Sequence, residues 1–241
     1  MFVVSGLEKV YSIEPIFRAE KSHTTRHLTE FTGIDLEMGF IENENDVMNV
    51  VERYFHFLLS SIKTECAPEL DALGVTIDVP HEIPRVSIKD ARNTLAKKGK
   101  TIPENDDLDA EGEKMMGEHI KETQKCDFVF MLDYPWTKRP FYHMRPEKDP
   151  TVTKSFDLLY KGVEIGTGAQ REHRLNVLVA QAQEKGIDMM KMPFYRDIFR
   201  YGCPPHGGIG LGLDRIVKQM LNLDNVKEAI LLPRDPERLT P

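Results

Sequence analysis

Two carboxylates seven residues apart are the first candidates for chemistry. In SFDLLYKGVEIGTG (residues 155–168), Lys161-Gly162 occupies the place of a two-residue hairpin turn, so Tyr160 should face Val163 and Leu159 should face Glu164. Asp157 then shares a sheet face with Glu164 as a diagonal neighbour, roughly 5 to 8 Å away between side-chain roots. Carboxylates so placed repel unless a cation lies between them. Hard oxygen ligands on a rigid hairpin suit Mg²⁺ that is also held by substrate phosphates. The plainer alternative is that one carboxylate pairs with a lysine or arginine, for example Arg171.

A second candidate is the run from Gly207 to Arg215, GGIGLGLDR. Its spacing is G-x-G-x-G, not the dinucleotide-binding G-x-G-x-x-G, and the lysine of a P-loop is absent. Glycine at every second strand position leaves one face bare, where a flat ligand can lie against the backbone. Arg215 follows in the first turn of a helix carrying Leu213, Ile216, Val217, Met220 and Leu221 at core spacing. A helix start favours an anion, and an arginine there is a phosphate clamp or a stacking plate. A structural glycine run with an ordinary surface arginine remains the alternative.

The third candidate is a pair of alternating stretches, residues 10–20 and 29–40, around the polar loop KSHTTRH. They predict an antiparallel hairpin. Residues two apart share a face. Tyr11, Ile13, Phe17 and Ala19 form an apolar side of one strand, and Ile34, Leu36, Met38 and Phe40 that of the other. The opposite faces carry Ser12, Glu14, Arg18 and Glu20, and Phe31, Gly33, Asp35 and Glu37. An aromatic ring beside an arginine and carboxylates suits a purine bearing phosphates. A solvent-exposed face is the plain alternative.

Other elements must position these residues. Asn45 or Asp46 could cap a long amphipathic helix running to about Lys63, its aromatic stripe assigned to core packing. PRVSIKDARNTLAKKG and DAEGEKMMGEHIKET suggest short helices, DFVFMLDYP and RPFYHMRP strands, and residues 172–185 a further helix. The charges of residues 97–125 are most simply a solvated surface. No repeat or low-complexity linker interrupts the 241 residues, so one continuous mixed domain is expected.

Composition sets the limits. With 40% apolar and 29% charged residues the chain has a globular composition. A net charge of −7 gives no global reason to bind nucleic acid. Cys66, Cys126 and Cys203 are scattered, as in a reducing compartment, and the histidines show no metal-ligand spacing. No apolar run approaches the ~18 to 20 residues of a membrane span, and the N-terminus lacks a signal-peptide pattern. A cytoplasmic location is expected. Met1-Phe2-Val3-Val4 is apolar with no cap ahead of it, like the last turn of an element that begins earlier.

Together these segments resemble a known family. FRAEKSHTTRHLTEFTGIDLEM resembles motif 2 of class II aminoacyl-tRNA synthetases, and GGIGLGLDR resembles motif 3. FDLLYKGVEIGTGAQREHR and the tail LLPRDPERLTP resemble the aspartyl-tRNA synthetases of archaeal and eukaryotic type. The resemblance spans the chain. It implies an α/β fold of the α+β type, a mainly antiparallel sheet flanked by helices, and an aspartate–tRNA ligase using ATP and Mg²⁺. By that resemblance Arg18 binds the α-phosphate, Glu20 lies near the adenine amino group, and Arg26 and His27 meet the outer phosphates. Phe31 stacks on the adenine; Arg215 encloses it from the other side and touches the γ-phosphate, with Gly212 beside it. Asp157 and Glu164 engage Mg²⁺ with help from Thr167, Asp35 binds the substrate ammonium, and Arg171 its side-chain carboxylate.

The implied partners are L-aspartate and tRNA-Asp, with tRNA-Asn as a second acceptor left open, and a homodimer for the full-length parent. A full-length member carries an OB-fold domain and motif 1 ahead of these motifs. Neither is visible here, so the chain resembles the C-terminal portion. Related possibilities are an ammonia-dependent asparagine synthetase, an asparaginyl-tRNA synthetase and a non-catalytic binding module.

Overall fold

The computed structural model describes residues 1–20 and 24–240. The first three residues of the expected polar loop, 21–23, lie outside the described residues. Among the described residues seven strands form one sheet: β1 (Lys9–Phe17), β2 (Glu30–Gly39), β3 (Arg85–Ser87), β4 (Phe128–Leu132), β5 (Ser155–Tyr160), β6 (Val163–Arg171) and β7 (His206–Gly212). Their order is β1-β2-β7-β6-β5-β4-β3. Every pairing is antiparallel except β3 with β4. The helices are α1 (Glu44–Glu65), α2 (Ala67–Leu73), α3 (Ile88–Lys97), α4 (Ala110–Gln124), α5 (Leu175–Glu184), α6 (Pro193–Arg196) and α7 (Leu213–Met220). Among the described residues no helix is long and apolar enough to cross a membrane. The α+β architecture expected from the resemblance is therefore present.

The core lies between one sheet face and α1. Val47, Val51, Phe55 and Leu59 recur at helical spacing and are buried, and the Phe55 ring lies 5.1 Å from that of Phe128 on β4, which stacks on Tyr160 at 4.1 Å. The cap of α1 is Asn43, not Asn45 or Asp46. Its side chain accepts from Asn45 N at 2.9 Å, while Asp46, three residues inside the helix, reaches back to close a capping box.

Two further expectations change. RPFYHMRP is not a strand; its residues make only an isolated bridge, His143 opposite Arg171. The apolar side of β1 is not core either, since Tyr11, Ile13 and Phe17 are 77%, 60% and 71% exposed. β1 is one of the two edge strands, and the helices packed behind the sheet reach β6 and β7 without covering it.

Candidate active site

The other sheet face carries the site. The register aligns Asp35, Gly210 and Thr167 across β2, β7 and β6, and next to that row Glu37, Gly208 and Ala169. The glycines were expected to leave a bare face. In fact Gly208 and Gly210 make room for the carboxylates of β2: a Cβ at Gly210 would lie 2.7 Å from Asp35 Oδ1, and one at Gly208 2.2 Å from Glu37 Oε2. Of the β7 glycines, Gly212 alone would accept a Cβ at ordinary contact distance, 3.9 to 4.0 Å from its nearest neighbours.

A cleft of about 240 Å³ runs over this surface. Arg18, Glu20, Arg26, His27, Phe31, Asp35, Glu164, Thr167, Gly212 and Arg215 all line it. Ten sequence-predicted residues therefore meet in one place. Arg18 extends the β1–β2 pairing by donating its N–H to Thr29 O at 2.8 Å, and its guanidinium lies 4.8 Å from the Phe31 ring centroid. Arg215, at the start of α7, donates from Nε to Arg26 O at 3.0 Å and from Nη1 to Glu164 O at 2.9 Å. It thus ties the segment after β1 to the hairpin. Asp214 beside it accepts from Thr32 N at 2.8 Å and docks α7 on β2. Burial, then the positive charge of Arg215, holds the His27 pKa below its usual value, so a neutral imidazole faces the cleft.

The Lys161-Gly162 turn forms as expected, with φ of 48° and 72°. Beyond it the ladder contains a bulge that sequence reasoning missed. Leu159 pairs with Glu164, but Leu158 pairs with Gly166 and Asp157 with Thr167. In a regular strand Glu164 and Thr167, three apart, would point to opposite faces; the extra residue, Ile165, brings them to the same one. Thr167 Oγ1 donates to Glu164 Oε1 at 3.3 Å. Burial and the nearby Asp157 charge raise the Glu164 pKa, opposed by Arg215.

Asp157 and Glu164 do share a face, yet Asp157 does not line the cleft. It is 3% exposed behind it, and the cation beside it is Arg139, with Nη2 2.5 Å from Oδ2. That guanidinium lies 3.6 Å from the centroid of buried Tyr134. Burial opposes the charge on Arg139, but Asp157 outweighs it and the pKa rises. Asp157 Oδ1 is buried and has no hydrogen-bond partner among the described residues. Among the described residues no cluster of three His, Cys, Asp or Glu side chains could hold a metal. Glu164, Thr167 and that free oxygen of Asp157 are a partial set of hard donors, which suits Mg²⁺ completed by water and phosphate.

Arg171 is likewise not among the residues that line the cleft. It lies on the same strand beyond Thr167 but outside the cleft lining, in a neighbouring hollow with Glu37 and Tyr142. Nε and Nη2 reach Glu37 Oε1 and Oε2 at 3.1 and 3.3 Å. It is therefore Glu37, not Asp157 or Glu164, that pairs with it. The Asp35 carboxylate has no hydrogen-bond partner among the described residues, and burial followed by Glu14 raises its pKa. A carboxylate so placed favours an incoming cation.

Glu113 was missed because its stretch of chain reads as solvated surface. Gly117 and Gly162 touch, a Cβ on the first lying 2.5 Å from the backbone of the second, so α4 rests directly on the hairpin turn. One turn earlier, Glu113 is buried and accepts from Arg26 Nη1 at 2.7 Å and Glu164 N at 3.4 Å. Burial pushes its pKa to about 7, against the pull of Arg26. Its spacing with Met116 and Ile120 on the buried face of α4 was the available signal.

A mainly antiparallel sheet with an arginine-lined cleft between its motif 2 and motif 3 segments defines a class II aminoacyl-tRNA synthetase core. The chain matches the family described as tRNA synthetases class II (D, K and N) over residues 1–236, and it belongs to that family. It is 48% identical over 242 residues to the aspartate–tRNA(Asp/Asn) ligase of Aeropyrum pernix, covering 99% of this chain and 55% of the relative. To the aspartate–tRNA(Asp) ligase of Thermococcus kodakarensis it is 46% identical, covering 100% and 55%. The aspartyl-tRNA synthetase structure from Entamoeba histolytica superposes with a TM-score of 0.96 at 36% identity, over 100% of this chain and 50% of that one. Asparaginyl-tRNA synthetase from Pyrococcus horikoshii with asparaginyl-adenylate gives 0.91 at 34% identity, over 100% and 55%. The chain spans about half the length of the curated relatives it matches.

Proposed function

We propose that this chain is the catalytic portion of an aspartate–tRNA ligase that joins aspartate to AMP and then transfers the aspartyl group to tRNA-Asp. Transfer to tRNA-Asn as well belongs to the same proposal, and the relatives' names include both kinds. The observation carrying it is that Arg18, Phe31, Glu164 and Arg215 line one cleft with Asp35. Two cations at its walls suit a triphosphate, the ring suits a base, and Asp35 suits an ammonium group. The reaction needs no protein nucleophile. The aspartate α-carboxylate attacks the α-phosphorus, the bond to the pyrophosphate oxygen breaks, and pyrophosphate leaves; a terminal hydroxyl of the tRNA then displaces AMP. Arg18 neutralises the α-phosphate, and Arg26, His27 and Arg215 hold the outer phosphates. Asp35 fixes the amino group, and Glu20 meets the adenine edge.

Glu164 and Thr167 would hold Mg²⁺, with Asp157 Oδ1 behind them; bound there, the ion neutralises phosphate charge. Arg171 selects the acid, because a guanidinium forks onto a carboxylate but leaves donors unpaired against an amide. A homodimer and a cytoplasmic location complete the proposal. The test is ATP–pyrophosphate exchange with the protein in its full natural length. Exchange should require aspartate and be lost in Glu164→Ala. Exchange driven by asparagine and not aspartate overturns the specificity. Release of asparagine on adding ammonia, without tRNA, points instead to the asparagine synthetase.

A further inference from the structure

Arg171 carries five N–H donors in a rigid plane. Glu37 takes Nε and Nη2 on one side, at 3.1 and 3.3 Å. Nη1 lies 3.2 Å from His143 Nε2. Three donors are used, and two remain. His143 stands directly opposite Arg171 in an antiparallel bridge, so both side chains share the face of Asp35 and Thr167. Its backbone is pinned, with His143 N donating to Pro140 O at 3.1 Å and Gln181 Nε2 donating to His143 O at 3.1 Å. The ring is 2% exposed.

A guanidinium can only donate, so Nε2 must accept and the ring proton must sit on Nδ1. Burial, with Arg171 and Arg139 nearby, keeps the ring neutral by pushing its pKa down to about 2. Nδ1 is buried and has no hydrogen-bond partner among the described residues. The fold therefore tolerates an unpaired donor in order to place an acceptor against Arg171, a cost that calls for a reason.

We propose that His143 is a positioning residue for amino-acid recognition: by accepting from Arg171 it locks the guanidinium so that the two remaining N–H groups form the receptor for the substrate's side-chain carboxylate. The proposal rests on the ligase reading above. Held from two sides, Arg171 cannot tilt to relieve the mismatch with an amide, so its donors stay turned toward an acid.

The test uses the full natural length of the protein and aspartate-dependent ATP–pyrophosphate exchange. His143→Phe keeps a ring and removes the acceptor; His143→Gln restores an acceptor near Nε2. His143→Phe should raise the aspartate KM about tenfold or more, with kcat and the ATP KM within about twofold of wild type, and His143→Gln should recover most of the loss. An unchanged aspartate KM in folded His143→Phe, an equal rise in the ATP KM, or no rescue by Gln overturns the proposal. ¹⁵N resonances of the wild-type His143 ring decide it without any variant: a bare Nε2 with a protonated Nδ1 supports it, and a protonated Nε2 overturns it. Wild-type protein without aspartate-dependent exchange would instead overturn the ligase reading and this inference with it.

Discussion

The guanidinium of Arg18 lies 4.8 Å from the centroid of the Phe31 ring, and both residues line the cleft. The two residues should fail differently. Phe31→Leu loses a stacking contact of about 1 kcal/mol, which predicts an ATP KM about fivefold higher with little change in kcat. Arg18→Ala loses charge neutralisation at the reacting phosphorus and should lower kcat about 100- to 1,000-fold. Pyrophosphate exchange at varied ATP separates the two.

Arg139 and Asp157 form a buried ion pair behind the cleft, with side chains 8% and 5% exposed. Arg139→Met strands a carboxylate in the interior and should cost about 3 to 5 kcal/mol in urea unfolding. Replacing both partners, as Arg139→Met with Asp157→Leu, should recover most of that loss, because no unpaired charge remains. Recovered stability would not restore exchange activity, since Asp157 belongs to the proposed metal site.

Legibility in the sequence followed how local each cause is. Lys161-Gly162 sets its own turn through positive φ, and the alternation of β2 assigns Phe31 and Asp35 to one face without outside help. The bulge at Ile165 is fixed by what β6 pairs with on β5, so nothing within β6 announces it. Arg139 and His143 reach the site from an irregular segment lacking periodicity, and each matters only through a partner 18 and 28 residues away. The apolar side of β1 misled for a related reason: alternation shows that a strand has two faces, not that both are covered.

Two glycines of β7 should respond unequally to the same substitution. At Gly210 an added methyl meets only Asp35 Oδ1, at 2.7 Å, which can swing aside. Gly210→Ala should therefore fold but displace the proposed ammonium ligand, raising the aspartate KM about tenfold. At Gly208 the methyl would lie 2.1 Å from Leu36 O, which is backbone. Gly208→Ala must part β2 from β7 and should cost about 3 kcal/mol. Thermal unfolding beside steady-state exchange distinguishes a shifted carboxylate from a broken ladder.

His143 should also make the fold acid-sensitive. Its pKa falls from 6.5 in the unfolded chain to about 2 in the native one, first because burial disfavours the charge and then because Arg171 repels it. Between those values the unfolded chain binds the extra proton and the native protein does not. The contribution is therefore fully present above pH 6.5 and is lost as the pH falls below it, by about 2 kcal/mol from pH 6.5 to pH 5. His143→Gln has no such proton to bind. Urea midpoints of the two proteins should differ by a constant above pH 7 and converge or cross toward pH 5. Parallel curves down to pH 5 would mean that the imidazole takes up its proton in the folded protein, which the Arg171 contact forbids.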